Sequence, residues 1–417
     1  MLRLAGGRPA RHRPCWFAAA LQAADDPDIW EKTMVVILPV AASAVMLVAP
    51  ATVDVAMPRP ADILAATRRV ADWQLAHRDS FDRMPSANQS TRDPRGWQQA
   101  TFWVALTELA DRTRDPRYAA AIMEIGKNAG WRLGDRPFHA DDQLIAQAWL
   151  WASRHGSGRA AVKPMIGYFD HVLANRPTND LRFTPPPAPG DPACTTRWCW
   201  CDALFMAPPS LLAISRSTGD KRYAAFAHEE YRATRDYLYD PADHLFFRDS
   251  RFFEQRDAAG RKLFWSRGNG WVMGGLARII PQLDRADPMR AYYVRLFREM
   301  AARAVAIQKP DGYWAPSLLD DGPKTQPESS GTAFFVYAFA WGIEAGLLDA
   351  ATYRPAAIRG WAALQRAVQP DGMLGWVQQV SDRPDSVAQG ETQFYGAGAF
   401  LLAGSAMYDL ARHKIRR

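Results

Sequence analysis

The segment Thr113-Arg-Asp-Pro-Arg-Tyr-Ala-Ala120 returns nearly unchanged as Thr218-Gly-Asp-Lys-Arg-Tyr-Ala-Ala225. In each copy an aspartate stands directly before a stretch whose apolar residues have helical spacing. Aspartate is a preferred residue at helix starts, because its carboxylate accepts hydrogen bonds from the first free N–H groups. A helix start that recurs along the chain indicates a repeated helical unit.

Two other pairs of segments repeat in the second half of the chain. Pro310-Asp-Gly312 returns 60 residues later as Pro370-Asp-Gly372. Glu328-Ser-Ser-Gly-Thr-Ala-Phe334 and Glu391-Thr-Gln-Phe-Tyr-Gly-Ala397 each open an apolar stretch. This period is longer than the roughly 34 to 47 residues of the common helical solenoids. The repeats favour six helical hairpins closed into a double ring, an all-α (α/α)6 barrel, over an open helical array.

Helical periodicity runs through the chain from Pro60 onward, with little strand signal. We predict helices near 63–75, 102–109, 116–131, 140–154, 161–174, 203–216, 221–239, 268–284, 288–308, 331–346, 352–368 and 392–412. The best strand candidate is the aromatic run 245–247 followed by Phe252-Phe253, which we predict to form a hairpin. In a double ring, the loops that enter the inner helices gather at one mouth, where a site would be built.

The first 57 residues differ in composition from the rest. No residue from Met34 to Val53 is charged, and Ala49-Pro50-Ala51 resembles a signal-peptide cleavage site. An uncleaved anchor is the alternative, since about 20 apolar residues can span a bilayer. We predict a leader over residues 1–57 and one catalytic domain over 58–417. The protein would then be periplasmic or secreted, with membrane contact only if the leader stays uncleaved.

Bulk composition excludes some classes of protein. The 417 residues are 48% hydrophobic and 23% charged, which excludes general disorder. The net charge of +7 is not clustered, which argues against a nucleic-acid partner. Cys194, Cys199 and Cys201 form an odd-numbered cluster in which Cys194 could pair with either of the others. Because no histidine lies close by, we interpret these cysteines as structural and expect no metal or cofactor.

Asp202 lies in the most distinctive stretch, Arg197-Trp-Cys-Trp-Cys-Asp-Ala-Leu-Phe-Met-Ala-Pro-Pro209. A carboxyl group among aromatic surfaces loses hydration, so its pKa should rise and it can serve as a proton donor. The alternative is that Asp202 caps a helix beginning at Ala203, where the helix dipole would lower its pKa.

Four polar and aromatic clusters stand at the starts of predicted inner helices. They are Trp97-Gln98-Gln99, His139-Ala-Asp141-Asp142-Gln143, Trp200-Cys-Asp202 and Trp265-Ser-Arg267-Gly-Asn-Gly-Trp271. Paired carboxylates, stacking aromatics and one arginine fork fit an acid–base site for a charged sugar. Each cluster also has a structural interpretation, as a helix cap, an ion pair or core tryptophans. Together the four clusters favour a site.

The motifs at 200–209, 265–271 and 328–333 resemble those of the unsaturated rhamnogalacturonyl hydrolases, glycoside hydrolase family 105. That family is related to the unsaturated glucuronyl hydrolases of family 88. The resemblance spans roughly residues 60–411 and implies an (α/α)6 barrel. It also implies that Asp202 is the general acid/base, with Asp142 rather than Asp141 as the second site carboxylate.

Substrate-binding residues follow from the clusters and, for the last cluster, from the resemblance. The predicted set is Gln98, His139, Trp200, Trp265, Arg267 and Trp271. The implied enzyme removes the terminal unsaturated (4,5-dehydro) uronic acid from lyase-generated acidic oligosaccharides such as rhamnogalacturonan fragments. It would do so by acid-catalysed hydration of the C4=C5 vinyl ether, without a metal. A sugar isomerase or epimerase, a polysaccharide lyase and a non-catalytic carbohydrate-binding protein are the alternatives.

Overall fold

The computed structural model of the protein describes residues 56–186, 188, 190–322 and 326–416. Its α-helices are α1 (Pro60–Ala76), α2 (Gln89–Arg92), α3 (Trp97–Thr113), α4 (Pro116–Asn128), α5 (Ala140–Gln143), α6 (Ala146–Ala152), α7 (Arg159–Ala174), α8 (Ala203–Met206), α9 (Pro208–Thr218), α10 (Lys221–Leu238), α11 (Ser266–Ile279), α12 (Pro288–Ala306), α13 (Ser329–Glu344), α14 (Ala350–Ala367) and α15 (Phe394–Arg416). Two short strands, β1 (Tyr239–Asp240) and β2 (Leu245–Phe246), pair antiparallel.

The helices form two concentric rings. Helices α3, α6, α9, α11, α13 and α15 pack side by side as the inner ring, and α15 closes it by lying between α13 and α3. Helices α1, α4, α7, α10, α12 and α14 cover them from outside. The predicted all-α (α/α)6 barrel is therefore confirmed.

Burial separates the two rings. Every residue of α13 from Ser329 to Ala340 is buried, as expected for a helix that is apolar on all sides. The outer helix α10 buries one stripe, which includes Tyr223, Phe226 and Tyr231, and leaves its charged face exposed. The inner ring thus lies within one continuous core, and side chains at its ends are the ones able to line a site.

The repeated segments have a structural cause. Asp115 caps α4 through the backbone N–H of Arg117, and Asp220 caps α10 in the same way through Arg222. The tyrosine that follows in each copy reaches back to an aspartate on the preceding outer helix. The two bonds run from Tyr118 Oη to Asp72 Oδ1 (2.9 Å) and from Tyr223 Oη to Asp170 Oδ1 (2.8 Å). The repeat therefore joins neighbouring outer helices at equivalent places in the ring.

Two local predictions differ from the structure. The strand Leu245–Phe246 pairs with Tyr239–Asp240, so the predicted hairpin with Phe252-Phe253 is wrong. Phe252 instead lies in a 3₁₀ turn that Asp249 caps. The predicted helix over 203–216 is broken between α8 and α9, because Pro208 has no N–H to continue the hydrogen-bond ladder.

The cysteine cluster forms one disulfide. Cys194 bonds to Cys199, and Cys201 remains a buried free thiol. In the described part of the chain, no three His, Cys, Asp or Glu side chains are arranged to hold a metal ion.

The predicted leader falls outside the described residues, apart from its last two positions. Within the described ranges, no helix combines the length and the apolar character needed to cross a bilayer.

Candidate active site

The four clusters meet at one end of the inner ring, at the starts of α3, α5, α8 and α11. The His139 ring packs against Trp200, with centroids 4.8 Å apart. Trp97 meets Trp271 edge to face at 6.2 Å. A Cβ atom on Gly268 would lie 3.0 Å from Cys201 Sγ, so the third and fourth clusters also touch. One mouth of the barrel therefore brings together segments that are distant in sequence.

Asp202 lies at the centre of this mouth with 11% of its side chain exposed. Its carboxylate makes no hydrogen bond to the start of α8, so it does not act as a cap. The Cys201 thiol donates to Asp202 Oδ2 at 3.4 Å. Burial raises the pKa of Asp202, and the cations Arg248 and Arg267 oppose that rise. A buried carboxyl group with a raised pKa can hold a proton for transfer to a substrate.

The two neighbouring aspartates have different surroundings. Asp142 is bound to Arg136, whose Nη2 and backbone N–H donate to it at 2.5 and 2.8 Å. Asp141 has no such strong ion pair, and burial raises its pKa to about 7. The carboxylates of Asp142 and Asp202 raise that pKa further, which puts Asp141 within electrostatic reach of Asp202.

His139 begins α5 and is a neutral side chain. Burial and the nearby charge of Arg136 lower its pKa to about 3. Its Nδ1 accepts a hydrogen bond from the backbone N–H of Asp141 at 3.3 Å. At neutral pH, His139 therefore offers a stacking surface and a hydrogen-bonding ring nitrogen rather than a positive charge.

Arg267 is fully buried behind Trp265. Its guanidinium carbon lies 4.3 Å from the Trp265 ring centroid and 4.7 Å from that of Tyr395. Its Nη1 and Nη2 donate to the carbonyl oxygens of Gln378 and Gln379 at 2.7 and 2.9 Å. Both terminal nitrogens thus help to fix the 378–379 loop. The predicted contact of Arg267 with the acid group of a substrate stays a prediction.

Trp271 and Gln98 lie deeper than the other predicted residues. Trp271 is fully buried, with its ring centroid 4.4 Å from Phe334 and 4.9 Å from Phe205. Gln98 is 1% exposed and accepts a hydrogen bond from Ser90 Oγ at 2.9 Å. Both side chains support the floor of the mouth. Their predicted contact with a substrate stays a prediction.

Sequence reasoning missed Arg248 and its partners. Arg248 Nε lies 3.7 Å from Asp202 Oδ2, and its Nη1 donates to Asp249 at 2.8 Å. Asp249 is fully buried and also binds Arg251, which in turn reaches Asp382 at 2.7 Å. The only local sign in the sequence is the charged segment Arg248-Asp-Ser-Arg251 after an aromatic run. A chain of charges thus runs from Asp202 to the loop near residue 382.

Several buried polar atoms near the mouth have no hydrogen-bond partner among the described residues. They are Gln143 Oε1, Arg248 Nε, Ser266 Oγ, Arg267 Nε, Trp271 Nε1, Thr392 Oγ1 and Gln393 Oε1. Buried polar groups are normally paired, so a cluster of unpaired ones at the starts of inner helices favours a polar ligand. Hydroxyl groups of a sugar supply both donors and acceptors for such atoms.

A cavity of about 250 Å³ lies at the opposite end of the barrel. Most of its charged groups are paired with one another. Glu108 binds Arg112 at 2.8 Å and Arg278 at 3.2 Å, and Arg112 also binds Asp409 at 2.5 Å. These ion pairs link inner helices α3, α11 and α15, so the polar groups that form them have structural partners.

Comparison of the sequence with models of known protein families identifies the family of this chain. The model of Glycosyl Hydrolase Family 88 matches residues 66–411. The chain belongs to glycosyl hydrolase family 88. The resemblance inferred from the motifs is confirmed, with family 88 as the matching family. This family 88 protein is therefore a glycoside hydrolase.

Two curated relatives carry the same name. An unsaturated 3S-rhamnoglycuronyl hydrolase from Alteromonas sp. (strain LOR) is 35% identical over 366 residues, covering 85% of this chain and 88% of the relative. One from Formosa agariphila is 34% identical over 357 residues, covering 84% and 91% respectively. The family 88 enzyme thus matches both proteins over most of their length.

Solved structures share its fold. A glycosyl hydrolase family 88 protein from Bacteroides vulgatus has a TM-score of 0.72 and 25% identity, covering 85% of this chain and 100% of its own. A solved polysaccharide lyase has the same TM-score and 27% identity, covering 85% and 98%.

Proposed function

We propose that this family 88 glycoside hydrolase releases the terminal unsaturated uronate from lyase-generated oligosaccharides in which a rhamnose follows that residue. The observation that carries the proposal is Asp202, a buried carboxyl group of raised pKa beside the Trp200 and Trp265 clusters. The names of the relatives from Alteromonas and Formosa support a uronate joined to rhamnose. Localisation in the periplasm or outside the cell is proposed from the leader sequence alone.

The chemistry begins at a double bond rather than at the anomeric carbon. The C4=C5 bond and the ring oxygen form a vinyl ether, which accepts a proton at C4. Asp202 donates that proton, and water adds to the resulting cation at C5. The hemiketal at C5 opens to a keto group, and the hemiacetal left at C1 then frees the neighbouring sugar. The sum is addition of one water molecule to the glycoside.

A second carboxylate would help to remove the proton from the attacking water. Asp202 is anionic after its proton transfer, and Asp141, with a pKa of about 7, is the neighbour able to share this task near neutral pH. Asp142 remains the sequence prediction for the second site carboxylate, and its bonds to Arg136 support a positioning role. We therefore propose that Asp141 works with Asp202 and that Asp142 holds the turn before α5.

Ultraviolet absorbance tests the proposal directly. The C4=C5 bond conjugated with its carboxylate absorbs, and the hydrated keto product does not. Unsaturated uronyl-rhamnose oligosaccharides incubated with the full chain should lose absorbance steadily. Substrates with and without a 3-O-sulfate on rhamnose should be compared, since the relatives carry 3S in their names. No change on any unsaturated uronide would reject the proposal and favour an isomerase or a binding protein.

A lyase is the second candidate, favoured by the likeness to a solved polysaccharide lyase. It would create the double bond instead of consuming it. Absorbance would then rise on uncut polysaccharide. The same instrument therefore separates the two activities by the sign of the change.

A further inference from the structure

The cations at the mouth differ in how many of their donors are free. Arg267 uses both terminal nitrogens on the Gln378 and Gln379 carbonyls, and only its Nε has no partner among the described residues. Arg136 uses Nε and Nη2 on Asp142 and Nη1 on Asp191. Arg248 uses only Nη1, and no described residue accepts a hydrogen bond from its Nε or Nη2.

The free edge of Arg248 has the shape of a carboxylate binder. The Nε–H and the Nη2–H on the same side of a guanidinium group point in parallel, which matches the two oxygens of a carboxylate. Arg248 Nε is buried and lies 3.7 Å from Asp202 Oδ2, beyond hydrogen-bond distance. The Nε–Nη2 edge of Arg248 therefore lies next to Asp202 but makes no hydrogen bond to it.

The orientation of Arg248 is fixed from two sides. Its backbone carbonyl accepts a hydrogen bond from Cys201 N–H at 2.9 Å, which ties it to the turn that carries Asp202. Its Nη1 donates a hydrogen bond to Asp249, a fully buried carboxylate. Asp249 also accepts hydrogen bonds from Arg251 Nε and Nη2, at 2.9 and 2.7 Å. A side chain held in this way loses little further freedom when it binds an anion.

We propose that the Nε–Nη2 edge of Arg248 binds the carboxylate of the unsaturated uronate, and that Arg248 rather than Arg267 is the cation that recognises the acid group. The inference rests on the proposed function. The uronate carboxylate is attached to C5, next to the C4 atom that Asp202 protonates. A cation for that carboxylate must therefore border Asp202, as Arg248 does.

Binding at Arg248 would also prepare the proton donor. The charged and titratable groups around Asp202 are Arg248, Arg267, Asp141, Asp249 and Cys201. In the free enzyme the charge of Arg248 favours the Asp202 anion. A bound carboxylate neutralises that charge and favours protonated Asp202. The alkaline limb of kcat should therefore lie at higher pH than the alkaline limb of kcat/KM.

The test compares an unsaturated uronyl-rhamnose disaccharide with its uncharged methyl ester. The wild-type enzyme should have a kcat/KM about 10- to 100-fold lower for the ester, because a paired charged hydrogen bond is lost. Arg248→Gln should show a similar loss on the acid and little further loss on the ester. Arg248→Lys, which keeps a charge for Asp249 but has no fork, should fall between the two.

Arg256→Gln is the matched control, because Arg256 is an exposed arginine in the same segment that binds only carbonyl oxygens of its neighbours. It should keep the wild-type preference for the acid. An ester penalty that persists in Arg248→Lys and in any folded Arg248→Gln would overturn the inference, as would a wild-type enzyme without an ester penalty. Wild-type enzyme that consumes neither compound would instead reject the proposed function, and the inference with it.

Discussion

At Asp202, two effects of opposite sign act on one carboxyl group. Loss of hydration disfavours the anion, and the charges of Arg248 and Arg267 favour it. The first effect followed from the sequence, because tryptophans and an apolar run flank the residue. The alternative of a helix cap is not realised, since the side chain makes no hydrogen bond to the start of α8. The resulting raised pKa leaves Asp202 protonated more often than an exposed aspartate.

Asp202→Asn should abolish most turnover. The amide cannot give up a proton, so kcat should fall by about 10²- to 10⁴-fold, measured as the rate of absorbance loss. Binding of substrate and the far-ultraviolet circular dichroism should change little. Retention of most of the activity would show that another group donates the proton.

The two neighbouring aspartates provide a matched pair of variants. Asp141→Asn should lower kcat by at least about 10-fold, because a carboxyl group with a pKa of about 7 can take up a proton near neutral pH and an amide cannot. At pH 4, where the Asp141 carboxyl is largely protonated, the same substitution should leave the unfolding midpoint nearly unchanged. Asp142→Asn should lower the free energy of unfolding by about 1–3 kcal/mol, because Arg136 loses a charged partner. Kinetics and urea unfolding of both proteins measure the difference. The reverse pattern would assign the catalytic role to Asp142.

Arg248 is a site residue that could not be predicted from the sequence. Its segment is separated from Asp202 by three helices and two strands. A backbone hydrogen bond from Cys201 N to Arg248 O and the ion pair with Asp202 bring the two together. Arginine in a charged loop is usually solvated, so the residue carried no local signal. Arg267 lies in a distinctive motif, and the structure shows its terminal nitrogens bound to main-chain carbonyls. Its predicted contact with the substrate stays a prediction.

For the secondary-structure elements, apolar periodicity and capping residues were sufficient to predict the positions of most helices from the sequence. Asp115 and Asp220 cap helices as their sequence contexts predict, and Asp349 caps α14. Breaks within helices were harder to predict, because the chain between α8 and α9 stays helical in direction across Pro208. The strand partner of β2 was missed because a two-residue strand has no measurable alternation of polar and apolar residues.

Gly275 gives a prediction for the contact between α11 and α8. A Cβ atom there would clash with the carbonyl oxygen of Leu204, two residues after Asp202. Gly275→Ala should push α8 away, lower the free energy of unfolding by about 1–3 kcal/mol and reduce kcat. Urea unfolding and absorbance kinetics would measure both effects.

Gly167→Ala in α7 is the control for that substitution. Gly167 is exposed and a Cβ atom there would meet nothing within 4 Å. The change should stabilise the helix by about 0.5–1 kcal/mol and leave kcat unchanged. Equal effects of the two substitutions would show that close packing at Gly275 does not position the site.

For the molecule as a whole, buried ionisable groups couple stability to pH. The pKa of Asp141 is about 7 in the folded state, against an ordinary value of 3.8. Between these two pH values the folded protein holds a proton on Asp141 that the unfolded chain has released. This contribution is fully present below pH 3.8 and is lost as the pH rises through 7. The pKa of His139 is lowered to about 3, so its contribution to stability has the opposite pH dependence. That contribution grows as the pH rises from 3 to 6.5.

Comparison with Asp141→Asn isolates the first contribution. The free energy of unfolding of the wild type, minus that of the variant, should decrease steadily from pH 4 to pH 7. Urea titrations at four pH values across this range measure the difference. A difference that is flat or rising with pH would show that Asp141 is ionised throughout.

Closure of the inner ring by α15 has a consequence for synthesis of the protein. A chain emerging from the ribosome completes α3 some 280 residues before it begins α15. Until then the groove of α3 at Thr101 and Phe102, against which Gly398 packs closely, has no cover. The nascent chain therefore exposes an apolar face of α3 for most of its translation, a state in which partly folded chains are prone to aggregate.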